Sequence, residues 1–123
     1  MIDEAGITGD EALMDKMSAY PDALSKLVLD FQTAPNEKKT EEIVIEILRY
    51  HQPDQFEILY RKKGDELELV SDLGMDSLTM MEITFEAEDF LNIAITNEEM
   101  LAIKTVADLK SYILKATSLN STV

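Results

Sequence analysis

Apolar residues recur at helical spacing in four stretches of the chain, separated by polar or proline-containing segments. Leu24, Leu27, Val28 and Phe31 fall at i, i+3, i+4 and i+7 and make a single stripe, with Pro21 suited to the first turn of its helix. A second helix is predicted over 40–51, with Ile43, Val44, Ile47 and Leu48 inward and Pro53 as its stop. A third runs over about 77–91, with Met80, Ile83, Ala87 and Leu91 on its inner face. The last covers about 106–116, with Leu109, Tyr112, Ile113 and Ala116 inward and Thr105 and Asp108 at N-cap spacing. A short acidic helix is expected near "TNEEMLAI". Thr8 and Glu11 have capping-box spacing, which predicts one more short helix over about 9–19.

The stretch "PDQFEILYRKKGDELELVSDLG" obeys no single period. Phe56, Ile58 and Tyr60 alternate, as do Leu67 and Leu69, so a hairpin around Gly64 is one reading. The other, which we adopt, is a long loop whose apolar residues plug a helical core. The fold class predicted is therefore all-α: a small four-helix bundle with a long first loop over 37–117. Residues 1–36 form a helical extension joined by the linker "TAPNEKK", and 118–123 form a tail. The extension's stripe either packs on the bundle or serves docking or dimerisation, and the sequence does not decide between them.

Charge narrows the functions. The net charge is −14, and from Asp65 to Glu99 there are eleven Asp/Glu and no Lys or Arg. Such a surface repels phosphate backbones and anionic lipids and steers towards basic protein surfaces, or else simply keeps the protein soluble. Nucleic acid is excluded as a partner on this ground. The apolar runs are too short to span a bilayer, and an acidic start without an apolar core argues against a secretory or transit signal. The absence of Cys removes thiol catalysis, disulfides and thiolate metal sites. A monomer in the cytoplasm is the expectation.

Conventional chemistry is poorly served. Ser77 would need a base, and the one histidine, His51, ends a different helix, where a surface position is expected. "GMDSL" does not fit the G-x-S-x-G elbow, and neither a calcium loop nor a phosphate-binding glycine loop is present. No catalytic or metal-binding residues are assigned. What Ser77 has is position: at a helix start, behind Gly74 and the capping residue Asp76, a phosphate on its hydroxyl would lie at the positive end of the helix dipole. A plain capping Ser–Asp pair accounts for the same residues. Leu78, Met81 and Phe85 add a second apolar stripe to this helix, either buried because the helix is central or kept for a partner or an attached chain.

"DLGMDSL", continued through "LTMMEITFEAEDFLNIAITNEEMLAIKTVADLKSYI", resembles the acyl carrier protein family over about residues 40–117. The resemblance implies that Ser77 carries 4′-phosphopantetheine, donated from coenzyme A by a magnesium-dependent phosphopantetheinyl transferase, with Asp76 recognised beside it. It implies that Glu82, Glu88 and Asp89 meet basic patches on enzymes that build or transfer acyl chains, beside the stripe of Leu78, Met81 and Phe85 that the spacing offers to a partner. An acyl chain on the arm is expected to enter the core between the last three helices. Thr79 replaces an acidic residue common in the family, "YRKK" is unusually basic, and the extension is additional. These departures suggest a specialised fatty-acid, lipid or polyketide carrier. A peptidyl or aminoacyl carrier is the alternative within the family; an acidic helical adaptor with Ser77 as a cap is the alternative outside it.

Overall fold

Helices dominate, and their inner apolar stripes cover one another in a single core. The computed structural model describes residues 20–117, and the predicted helix over 9–19 and the tail 118–123 lie outside them. In chain order the elements are α1 (Asp22–Thr33), α2 (Glu37–His51), α3 (Pro53–Lys63), a 3-10 turn (Gly64–Glu66), α4 (Ser77–Leu91), α5 (Asn97–Leu101) and α6 (Val106–Thr117). Among the described residues there is no strand, only an isolated antiparallel bridge between Glu68 and Thr105. Among the described residues no helix is long and apolar enough to cross a membrane.

The predicted inner faces of α2 and α4 are buried. Ile43, Val44, Ile47 and Leu48 of α2 meet Met80, Ile83, Ala87 and Leu91 of α4, which also buries Phe90. On α6, Leu109 and Ile113 are buried as expected, joined by Leu114 where Tyr112 and Ala116 are only half-buried. The linker contracts to three residues, because the Asn36 side chain accepts from the Lys39 amide at 2.7 Å and starts α2 at Glu37. Pro21 sits at the N-cap of α1, one position before its first turn.

The stripe on α1 packs on the bundle. Leu24, Val28 and Phe31 are buried, and α1 lies against α2 and α4. Burying a side chain of this size contributes about 1.5–3 kcal/mol, so three of them hold the helix firmly. Gln32 Nε2 adds a hydrogen bond to the Phe90 carbonyl at 2.6 Å.

The expected irregular loop over 52–72 is corrected for its first half, which is helical. Pro53 stands at the first position of α3, where its missing N–H is not needed, and Gly64 at φ +61° ends the helix. The alternation of Phe56, Ile58 and Tyr60 is therefore not a strand pattern. Phe56 is buried and stacks on Tyr60 one turn later, centroids 4.9 Å apart, while Ile58 faces outward at 58% exposure. The second half does plug the core as expected, through Leu67, Leu69, Leu73 and Met75.

The register of α3 is testable by paired truncation. Phe56→Ala should cost about 3–5 kcal/mol in urea unfolding, and Ile58→Ala should stay within about 0.5 kcal/mol of the parent. Equal losses at the two positions would contradict an inward Phe56.

Candidate functional site

The segment before α4 is fixed by backbone pairing and buried leucines. Leu69 N–H donates to the Lys104 carbonyl at 2.9 Å, and Val106 N–H donates to the Leu67 carbonyl at 3.0 Å. Asp72 closes the turn through its carboxylate, which accepts from Glu68 N–H at 2.9 Å and pairs with Lys63 at 2.8 Å. These contacts hold the Asp72 carboxyl below its usual range, the Lys63 hydrogen bond first. Met75 N–H returns to the Leu69 carbonyl at 3.1 Å. Gly74 lies between buried Leu73 and Met75 at φ +68°, with open space where a Cβ would sit. The glycine is required there by its dihedral and not by crowding.

Asp76 is the N-cap of α4: its side chain accepts from Thr79 N–H at 2.8 Å. That hydrogen bond is the leading reason its carboxyl lies below the ordinary carboxylate range. Ser77, the first residue of the helix, is exposed. The cap expected at Asp76 is the one observed, which removes the alternative in which Ser77 is only a cap and leaves the serine exposed at the surface. It lies beside the helix-start N–H groups, which favour an attached phosphate. An exposed hydroxyl on a fixed turn, with open solvent around it, fits a tethered phosphodiester.

No hydrolytic site forms at Ser77. His51 Nε2 lies 2.8 Å from Glu86 Oε1, and its Nδ1 lies 3.9 Å from Glu82. Those residues are five to nine positions along α4 from Ser77, or roughly 7–13 Å at helical rise. The expected surface position of His51 is also corrected, for its side chain is only 11% exposed. Among the described residues, no group of three or more His, Cys, Asp or Glu is placed to hold a metal.

The second stripe of α4 is open. Leu78, Met81 and Phe85 are 64%, 47% and 56% exposed, which removes the reading that both stripes are buried. Glu82 and Asp89 share this outward face, whereas Glu88 lies at its edge, half-buried, with its carboxylate accepting from Ile95 N–H at 2.9 Å. Glu86 lies at the opposite edge and was not anticipated as a site residue. It accepts the Tyr20 hydroxyl at 2.8 Å as well as facing His51. Burial and the Glu86 carboxylate both push the Tyr20 phenol up, so it remains a donor. The residue types gave no sign of this cluster, because its members are more than thirty positions apart in sequence.

Beside the core, α5 is held by a capping box between Thr96 and Glu99 and by Met100, which receives the Thr84 hydroxyl at 2.9 Å. Tyr112 donates to Glu99 at 2.5 Å, and burial together with that carboxylate pushes its phenol up to about 12.

Comparison with known proteins points one way. A family model described as "Phosphopantetheine attachment site" matches residues 57–113. An acyl carrier protein of Syntrophus aciditrophicus is 33% identical over 73 residues, covering 59% of this chain and 86% of that protein. A meromycolate extension acyl carrier protein of Mycolicibacterium aurum is 40% identical over 50 residues, covering 41% of this chain and 52% of its own length. An acyl carrier protein of Rhodococcus erythropolis is 39% identical over 46 residues, covering 37% of this chain and 50% of that protein. The matches to these last two thus span about half of each relative. No solved structure gives a significant match.

Two variants probe the serine turn. Gly74→Ala should lose about 1–2 kcal/mol by imposing a left-handed φ on a residue with a Cβ, read as a shift in urea midpoint at unchanged slope. Asp76 has a depressed folded-state pKa, so its contribution is present above the unfolded value of about 3.9 and lost as pH falls through the folded value. Asp76→Asn, which keeps the cap, should therefore lose less stability than the parent on acidification from neutral pH to below about 4.

Proposed function

Because this chain belongs to the acyl carrier protein family, whose members carry intermediates and are not enzymes, we propose that Ser77 is its point of phosphopantetheine attachment. The observation that carries this reading is the exposed hydroxyl of Ser77 at the first position of α4, relieved of capping by Asp76. Family membership brings a phosphopantetheinyl transferase and acyl-processing enzymes as partners. When bound, the arm supplies the thiol that holds acyl groups as thioesters. The chain itself supplies the anchor, a fixed turn beneath it and a docking face.

That face is the outward stripe of Leu78, Met81, Glu82, Phe85 and Asp89, with Glu88 at its edge. Two features support it. Its apolar residues remain exposed on a helix whose other face is fully buried, and the carboxylates around them favour basic partners. Residues 37–117 then act as the carrier domain, with 1–36 as an addition to it. Resemblance to a meromycolate extension carrier favours a specialised lipid pathway over primary fatty-acid synthesis. The protein works as a monomer in the cytoplasm.

Intact mass after incubation with coenzyme A and a phosphopantetheinyl transferase should rise by one phosphopantetheine, and Ser77→Ala should abolish the gain. An unchanged mass in the parent, or equal modification of the variant, would sink the assignment. The transferase's kcat/KM should fall steeply with added salt, because docking draws on exposed charge. Glu82→Gln with Asp89→Asn should lower kcat/KM at low salt and flatten that dependence.

A further inference from the structure

Resting on the carrier reading, we propose that Lys63, at the end of α3, is a positioning residue for the loading of Ser77, acting through Asp72 to keep the attachment turn closed. Asp72 lies five positions before Ser77. One of its carboxylate oxygens accepts from Glu68 N–H at 2.9 Å, and the other accepts from Lys63 Nζ at 2.8 Å. Asp72 N–H donates in return to the Glu68 carbonyl at 3.0 Å, and Gly74 N–H donates to the Val70 carbonyl at 2.9 Å. A single carboxylate thus ties the turn to itself and to the end of the preceding helix.

Little else holds this arm of the turn. Leu69, Leu73 and Met75 are buried, but Val70 and Ser71 between them are exposed. Glu66, Glu68 and Asp76 lie in the same segment, and from Asp65 to Glu99 the chain has no Lys or Arg of its own. An uncompensated Asp72 would add like-charge repulsion to that segment. The compensating cation must come from another element, and among the described residues Lys63 alone pairs with a residue of 67–76. The hydrogen bond to Asp72 holds the Lys63 ammonium above its usual range, so both partners stay charged at neutral pH. The unusually basic "YRKK" thereby gains a use. Arg61 pairs within its own helix, with Glu57 at 3.7 Å, whereas Lys63 reaches out of the helix to the turn.

Lys110 supplies the contrast. It pairs with Asp65 at 3.0 Å, at the start of the acidic segment, and its side chain is 14% exposed where that of Lys63 is 49%. Breaking the better-shielded Lys110 pair costs the fold more, while the Lys63 pair is the one that meets the turn leading into Ser77. Main-chain bonds set where the turn lies, and the Lys63 pair sets how rarely its exposed arm opens.

The test is steady-state loading of the full-length protein by a phosphopantetheinyl transferase with coenzyme A, joined to amide hydrogen exchange of the unloaded protein. An exposed ion pair shifts a local equilibrium by about two- to five-fold. Lys63→Met should speed exchange at the Glu68 and Gly74 amides by about that factor. It should lower kcat by a similar factor and leave KM unchanged, because the outward face of α4 is untouched. Lys63→Arg should restore both readouts. In an Asp72→Asn background, where no charge is left to compensate, Lys63→Met should have no further effect. Lys110→Met should lower the urea midpoint more than Lys63→Met does and leave kcat unchanged. An unchanged kcat in Lys63→Met, an equal fall in Lys110→Met, or a full effect of Lys63→Met on top of Asp72→Asn would overturn the proposal. A parent that loads at a rate indifferent to Lys63 overturns the positioning role alone. A parent that takes up no phosphopantetheine, while exchange at Glu68 still depends on Lys63, overturns the carrier reading.

Discussion

Two backbone hydrogen bonds, Leu69 N–H to Lys104 and Val106 N–H to Leu67, tie the segment before α4 to the turn that starts α6. They join segments 35 and 39 residues apart, and the residues donating or accepting at Leu67, Leu69 and Val106 are fully buried, which limits competition from water there. With both ends of this crossing fixed, the nine residues from Leu67 to Met75 have little freedom. Leu73 and Met75 enter the core, and Gly74 turns outward between them. The start of α4, and with it the place of Ser77, follows from that anchoring. The start of α4 is thus set by main-chain bonding that side-chain variation leaves intact.

From that start α4 is used on several faces at once. Its inner face closes the bundle, its outer face keeps Leu78, Met81 and Phe85 in solvent, and one edge is taken by the extension through Glu86 and the Phe90 carbonyl. Keeping three large apolar side chains exposed is a hydration cost that a purely structural helix would avoid. The carboxylates around this face repel like charge.

The sequence was legible where burial follows one period. The inner stripes of α2 and α4 and the Thr105–Asp108 cap of α6 were read correctly, because each rests on local spacing and local hydrogen bonding. The helix α3 was misread because Phe56, Ile58, Leu59 and Tyr60 support two periods. What decides is Tyr60, drawn inward by Asp65 and Lys110. A signal was nonetheless present: proline at one end, glycine at the other, and Arg61, Lys62 and Lys63 in the last turn. At the site, the helix start at Ser77 and the cap at Asp76 were readable from one contiguous motif, because both rest on local hydrogen bonding. The Tyr20–Glu86–His51 cluster was not readable, since three segments must fold before its members meet.

The hydrogen bond from Tyr20 to Glu86 spans 66 positions of the chain. A ribosome releases Tyr20 first, and α1 and α2 can pair while α4 is still being made. Tyr20 must therefore wait for its partner until α4 has emerged. Loop-closure entropy grows only logarithmically with length, so the delay costs little in stability. It does set one order: α1 and α2 can pair before residue 86 exists, whereas the contact by which Tyr20 grips α4 cannot.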